Sequence, residues 1–135
     1  MRMHWTFMIV AALLAAGGCT PGRDDPTPAY TPIPDEQLYA QILAVPGIQS
    51  VDIAYVDTLE NLYAGKVAIA PDADAQEVLD RAHAILRQGR ADADINLVGV
   101  QDGRQVRFED LDVGTRAELE QRYGPQPGDG TPPGD

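Results

Sequence analysis

Three side chains in this sequence could serve hydrolytic chemistry. Ser50 is the only serine, Asp52 lies two residues later on the same side of an alternating pattern, and His83 is the only histidine beyond residue 4. A serine nucleophile needs a base within hydrogen-bond reach, an oxyanion hole and usually a glycine-flanked sharp turn. That signature is missing around Ser50, and we expect His83 to be a partly exposed helix residue. The sequence therefore disfavours a hydrolase and identifies no catalytic residue.

Paired aspartates and a single lysine are the other groups that could carry chemistry. Calcium takes six to eight oxygen ligands, and three pairs of aspartates could suggest it: Asp72 and Asp74, Asp92 and Asp94, Asp110 and Asp112. No pair shows the twelve-residue calcium loop, and each lies at a predicted element boundary, where aspartate commonly caps or turns the chain. Lys66 follows Gly65 without a strand-to-helix phosphate loop. We predict no cofactor and no metal site.

The single cysteine, Cys19, ends the segment Leu-Leu-Ala-Ala-Gly-Gly-Cys over residues 13–19, after a basic start and an apolar run over residues 7–16. A run of ten residues has the length of a secretory signal core and is about half of the roughly 20 residues that span a bilayer. The segment resembles the lipobox of bacterial lipoproteins. That resemblance implies cleavage before Cys19, loss of residues 1–18 as a signal peptide, and a diacylglyceryl group on the Cys19 sulfur.

An ordinary secretory signal followed by an unmodified thiol is the alternative. Cys19 cannot close a disulfide within the chain because it is the only cysteine, and a lone exposed thiol is unusual in a secreted protein. These points favour lipidation. Two acyl chains, at about 0.8 kcal/mol per buried methylene, hold a protein at a membrane essentially permanently. We therefore predict a lipid-anchored protein on the extracytoplasmic side of the cell membrane.

The composition is acidic. The chain has 10 Lys and Arg against 21 Asp and Glu, and loss of residues 1–18 with Arg2 takes the formal charge from −11 to −12. Such a surface argues against binding nucleic acid, whose phosphates require basic patches, and against flat contact with anionic lipid. The scarcity of Lys beside abundant Ala, Asp, Gly and Pro resembles proteins of GC-rich actinobacteria.

The chain divides into four segments. Residues 1–18 form the signal peptide, and residues 19–34, with five prolines from residue 21 to 34, form an extended tether of up to roughly 45 Å. Residues 35–123 hold the periodic patterns of one small domain. Residues 124–135 contain four Gly and four Pro, and we expect this tail to be disordered.

Hydrophobic periodicity predicts seven elements in residues 35–123. The apolar spacing of Leu38, Ile42 and Val45 predicts a helix that ends at Pro46. Alternation predicts a pair of strands over residues 48–57 and 63–69, and a second pair over residues 94–101 and 104–108 around the Asp-Gly turn at 102 and 103. A capping box at residues 74–77 begins the clearest helix, which Gly89 should end in a left-handed cap. The predicted apolar stripe of this helix consists of Ala75, Val78, Leu79, Ala82, Ile85 and Leu86. A second box at residues 115–118 begins a short last helix.

These elements predict an α+β fold: a small two-layer sandwich of about four mostly antiparallel strands with two helices on one face, plus the short C-terminal helix. The rhythm of residues 38–89, with Val-Pro-Gly-Ile-Gln-Ser-Val-Asp-Ile at 45–53 and a helix ending Ala-Ile-Leu-Arg-Gln-Gly at 84–89, resembles heavy-metal-associated domains. That resemblance implies a ferredoxin-like fold. The paired metal-binding cysteines of that family have no counterpart near Asp35, which argues against copper or zinc binding of that type.

Three functions remain open from the sequence. The first is a non-enzymatic interaction or structural module of the cell envelope with a protein partner. The second is a small binding protein for a cation or cationic ligand, which the net charge favours. The third, an envelope hydrolase, depends only on Ser50, His83 and Asp52. Tyr30 and Tyr39 could contribute to an exposed contact patch.

Overall fold

A computed structural model describes residues 30–57, 61–112 and 114–134. Cys19, the predicted signal peptide and the predicted tether as far as residue 29 lie outside these residues. The elements of the described part follow in chain order: α1 (Asp35–Leu43), β1 (Ile48–Asp57), β2 (Asn61–Ile69), α2 (Ala75–Leu86), β3 (Asp94–Gln101), β4 (Arg104–Val106) and α3 (Arg116–Tyr123). The predicted order of elements is confirmed.

The four strands form one sheet in the order β1-β2-β3-β4. Two of the three pairs are antiparallel, β1 with β2 and β3 with β4, whereas β2 and β3 are parallel because α2 forms the crossover between them. The β3–β4 turn has Asp102 at φ 52° and Gly103 at φ 72°, as a tight two-residue hairpin turn requires. The last strand ends at Val106, two residues earlier than the pattern predicted.

One face of the sheet packs against the helices. Alternate strand residues point into a single hydrophobic cluster, including Tyr63, Val67, Ile95 and Leu97, each at most 3% exposed. All three helices contribute to the same cluster, with Leu38 and Ile42 from α1, Leu79 and Leu86 from α2, and Leu119 from α3. The α+β sandwich of four strands and a short last helix is therefore confirmed.

Capping chemistry sets where two helices begin. The Asp74 carboxylate accepts hydrogen bonds from the backbone N–H groups of Gln76 and Glu77, which starts α2. Thr115 and Glu118 form a complete capping box at the start of α3. The side chains of Asp74 and Thr115 thus satisfy amide groups that would otherwise lack partners in the first turn.

Gly89 does not have the left-handed conformation predicted for it. It does not appear among the glycines with positive φ, and its backbone instead lies against the Tyr63 hydroxyl and the Leu38 side chain, where a Cβ would clash. Its small size allows close packing of the chain after α2. The sequence pattern identified the position correctly but assigned it the wrong role.

Both segments that flank the predicted domain contact it. The Tyr30 hydroxyl bonds to the carbonyl oxygens of Gln88 and Gly89, and Ile33 packs partly against the core. Residues 124–134 have no helix or strand, but the Gln126 amide donates to the carbonyl oxygens of Arg87 (2.9 Å) and Arg90 (3.1 Å). The packed unit of the described residues therefore extends beyond 35–123 at both ends.

Candidate functional site

The structure does not bring the three candidate hydrolytic residues together. Ser50 and Asp52 are exposed on the sheet face that points away from the helices. His83 is on α2, 3% exposed, on the other side of the sheet. The base and the hydroxyl therefore lie in different layers, and these three residues form no nucleophile–base pair.

The expectation that His83 is partly exposed was wrong. Its Nδ1 lies 2.7 Å from the Leu79 carbonyl oxygen, and its ring lies 5.8 Å from the Phe108 ring. Burial disfavours the charged imidazolium and lowers the pKa of His83 to about 4. The ring is a neutral packing group. Ala84, which also lies outside the predicted stripe, is buried as well, so the apolar face of α2 is wider than predicted.

The aspartate pairs have structural partners. Asp74 caps α2, Asp92 accepts from the Asn61 amide (2.6 Å), Asp94 accepts from the Arg116 N–H (2.7 Å) and Asp110 pairs with Arg122 (2.9 Å). Within the described residues, no group of three or more His, Cys, Asp or Glu side chains is placed to hold a metal ion. At least one aspartate of each pair thus acts as a cap, a hydrogen-bond acceptor or an ion-pair partner near an element boundary.

A depression of about 450 Å³ lies at the start of α2, lined in part by Asp72, Asp74, Glu77 and Arg81. Three acidic groups here could attract a cation. However, Asp74 is engaged as a cap and Glu77 pairs with Arg81 at 3.2 Å. The positive end of the α2 dipole also points toward this depression. Both effects weaken it as a cation site.

Two polar networks join the ends of the helices, and the sequence did not reveal either of them. In the first, Asp35 at the start of α1 accepts from the Tyr63 hydroxyl (2.8 Å) and from the Arg90 guanidinium (3.1 Å), which also stacks on the Tyr55 ring at 3.9 Å. Burial, chiefly, raises the pKa of Tyr63. The partners are 28 and 55 residues apart in sequence, so no local pattern could have indicated them.

In the second network, Asp80 on α2 accepts from the Arg122 guanidinium at 2.7 and 3.0 Å and from the Tyr123 hydroxyl at 2.6 Å. The hydrogen bond to Asp80 is the main cause that raises the pKa of Arg122. This network fixes α3 to α2. Both networks are occupied by internal partners and serve to hold elements together.

The predicted contact patch of Tyr30 and Tyr39 is not a free surface. The Tyr30 hydroxyl is engaged by carbonyl groups after α2, and Tyr39 is partly buried against the core. Burial, chiefly, raises the pKa of both phenols. Tyr30 attaches the N-terminal segment to the domain, and Tyr39 packs α1 against the core.

The face of the sheet opposite the helices, which we call the open face, is a further candidate surface. Its side chains form rows across the strands, set by the register: Ser50, Ala68, Val100 and Gln105 in one row, Asp52, Lys66 and Val98 in the next, and Ala54, Ala64 and Asn96 in a third. In the described residues no helix packs on these rows, and a shallow depression of about 390 Å³ runs along them. Small and β-branched side chains dominate the open face, so another surface can approach its backbone closely.

Charge on the open face is balanced. Lys66 lies 3.9 Å from Asp52, with both side chains more than 60% exposed. At the opposite edge, the Arg107 guanidinium donates to the Asn96 side chain at 3.1 Å, which places a positive charge there. Asp94, in the row beyond Asn96, is the second acid of this face. With two acids and two bases, this face has no net formal charge, although the chain as a whole has a net charge of −11.

Comparisons with known proteins give no family for this chain. No protein-family model matches it, and no curated protein matches it. In the part of the chain that the structure describes, the helices are all too short or too polar to cross a membrane.

Proposed function

We propose that this protein is a lipid-anchored, non-enzymatic interaction module on the extracytoplasmic side of the cell membrane. The anchor is the diacylglyceryl group on Cys19, and residues 19–29 connect it to the folded domain. Support for the anchor comes from the sequence of residues 1–19, which combines an apolar run, small residues and a single cysteine.

The open face is the observation that carries the interaction role. A two-layer sandwich buries one face of its sheet, and the other face remains available for contact. Here that face has small side chains and balanced charge, while the polar groups elsewhere are largely engaged in caps and networks within the chain. A protein partner that covers these rows is the function that this arrangement supports best.

The anchor is tested by metabolic labelling with a clickable palmitate. We expect the wild-type protein to carry the label and to sediment with membranes, and Cys19→Ala to lose both properties, since the acyl chains supply the membrane affinity. Ser50→Ala serves as the matched control and should be labelled normally. If Cys19→Ala remained full length and bound to membranes, residues 7–16 would be the anchor and the proposal would fail.

A binding protein for a cation or cationic ligand is the second candidate, and the acidic depression at the start of α2 is the observation that favours it. Calorimetry with divalent ions on the wild type and on Asp72→Asn distinguishes the two functions. Heat that saturates near one ion per chain and disappears in Asp72→Asn would favour the cation-binding function. An interaction module should show only weak, salt-sensitive heats.

A further inference from the structure

We propose that the partner of the open face is a second copy of this chain, packed face to face about a two-fold axis parallel to the strands, between β2 and β3. This inference rests on the proposed function, because it names the partner of the lipid-anchored module. Sheets commonly pack in this way, with their strands within about 30° of each other. A two-fold contact also uses the same patch on both copies.

Charge complementarity is the first argument. Asp52 lies on β1, at one edge of the open face, and Arg107 follows β4, at the other edge. Rotation about an axis between β2 and β3 places β1 of one copy over β4 of the other, so each Asp52 faces the other copy's Arg107. The Asp52 side chain is 80% exposed and can turn toward that guanidinium. Although the chain as a whole is acidic, two copies can approach each other at their open faces without bringing like charges together.

The side chains between the two edges are also compatible with this arrangement. The same rotation places Lys66 over Val98, Ala68 over Val100 and Ser50 over Gln105, by the register of the strands. The methylenes of a lysine can cover a valine while the ammonium group stays in water. In each of these pairs, a small or polar side chain of one copy lies over a valine or glutamine side chain of the other.

The position of the tether is the second, independent argument. The chain enters the domain at Tyr30, beside Gly89, and Gly89 contacts Tyr63 near the end of the sheet where β2 begins. A two-fold axis parallel to the strands leaves both tethers at the same end, so both copies can hang from one membrane. Antiparallel pairing of two β1 edges would place the tethers at opposite ends, roughly 30 Å apart. The single tether exit therefore favours the face-to-face arrangement.

The size of the open face implies that the contact needs the membrane. The three rows named above and the next row, which contains Asp94, span about 20 Å along the strands and about 15 Å across the sheet. The open face therefore covers on the order of 300 Å² in projection. Stable interfaces bury about 800 Å² per partner. Anchoring both copies to one membrane raises their effective concentration, so the full-length chain in membranes is the form to examine.

The test uses thiol crosslinking in isolated membranes. Cys19 carries the lipid, so Ala64→Cys on the open face supplies the one free thiol, and Glu36→Cys, exposed on α1, supplies the control position. A short bis-maleimide should join Ala64→Cys chains into dimers at least about five-fold more efficiently than Glu36→Cys chains. Equal yields would mean random collision in the membrane and would overturn the proposal.

Charge reversal then tests the arrangement. Within one chain Asp52 and Arg107 are separated by β2 and β3, about 14 Å, so coupling between them must arise between chains. In the Ala64→Cys background, Asp52→Arg or Arg107→Asp alone should lower the dimer yield at least about five-fold. The double variant should restore the yield, and differently tagged single variants expressed together should form mixed dimers. Formation of the mixed dimers also shows that each single variant folds.

Matched controls are Glu109→Arg and Arg104→Asp, which make the same charge changes at exposed positions outside the rows of the open face. Their dimer yield should stay within about two-fold of the Ala64→Cys parent. Single variants that crosslink as well as the parent, or a double variant that remains monomeric, would overturn the proposal. Palmitate incorporation is measured on the same samples, so loss of the anchor is recorded separately from loss of the contact.

Discussion

At the scale of single residues, the burial of His83 links the stability of the domain to pH. The imidazole packs between the Leu79 carbonyl and the Phe108 ring, with Asp80 and Arg122 as the charged neighbours. In the folded chain the pKa of His83 is about 4, whereas in the unfolded chain it lies near 6.5. Between these values the unfolded state binds the extra proton.

We therefore predict that stability falls as the pH is lowered from about 6.5 to about 4. The 2.5-unit difference corresponds to about 3 kcal/mol at about 1.4 kcal/mol per unit. Urea denaturation at half-unit pH steps measures the effect. His83→Gln should have a lower stability at pH 7 but a nearly flat profile over this range. A wild-type profile as flat as that of the variant would show that His83 titrates normally and is not buried.

The sequence indicated the stripe that includes Leu79 and Ile85 but not the burial of His83. An apolar stripe predicts which side chains of a helix face the core, and here Leu79 is fully buried and Ile85 is 8% exposed. His83 lies at the margin of that stripe. Its burial depends on Phe108, which is 25 positions away in the sequence and reaches α2 only through the path of the chain after β4. Only the assembled fold brings that ring to α2.

At the scale of elements, the attachment of α3 depends on one carboxylate. Asp80 receives three hydrogen bonds from Arg122 and Tyr123, and its side chain is only 14% exposed. We predict that Asp80→Ala lowers the free energy of unfolding by about 2–4 kcal/mol, because it leaves a partly buried guanidinium and a phenol without their acceptor.

Glu77→Ala on the same helix is the matched control. Its ion pair with Arg81 has side chains that are 63% and 39% exposed, so the loss should stay under about 1 kcal/mol, including its interaction with the helix N-terminus. Chemical denaturation of both variants gives the comparison. If Asp80→Ala lowered the free energy of unfolding no more than Glu77→Ala, α3 would be held by Leu119 and its apolar neighbours alone.

The open face could be predicted in part from the sequence. Within the predicted strands, alternation puts Val98 and Val100 on the other face of the sheet from Ile95 and Leu97, and Lys66 on the other face from Val67, as the structure confirms. The strand order could not be read, because two hairpins joined by a helix can be arranged in several ways. The sequence does not show that β2 and β3 pair in parallel. For that reason it could not place Asp52 and Arg107 at opposite edges of one surface.

At the scale of the whole molecule, the two ends of the chain make unequal contributions. The N-terminal segment adds the Tyr30 hydroxyl bonds, the Ile33 amide bond to the Gln88 carbonyl (3.3 Å) and partial burial of the Ile33 side chain. The C-terminal tail adds hydrogen bonds from Gln126, and its Gly124 carbonyl accepts one from Arg87 Nη2 (3.2 Å). The tail also covers Arg87, which is 3% exposed. Among the described residues, the Nε and one Nη of Arg87 have no hydrogen-bond partner.

These contacts predict different effects of trimming. A chain that begins at residue 35 loses the Tyr30 and Ile33 contacts without compensation, and its free energy of unfolding should fall by about 1–3 kcal/mol relative to a chain that begins at residue 30. A chain that ends at residue 123 loses the Gln126 bonds and the bond from Arg87 Nη2 to the Gly124 carbonyl. It also returns the Arg87 guanidinium to water, which removes the cost of two unpaired buried donors. The two effects oppose each other, so the free energy of unfolding should change by less than about 1 kcal/mol.

Urea denaturation of the three chains measures the effect of trimming at each end, and Tyr30→Phe in the longer chain isolates the contribution of the Tyr30 hydroxyl. If removal of the tail proved as damaging as removal of residues 30–34, the tail would be an integral part of the domain, and its hydrogen bonds with Arg87 and Arg90 would outweigh the cost of the two unpaired donors.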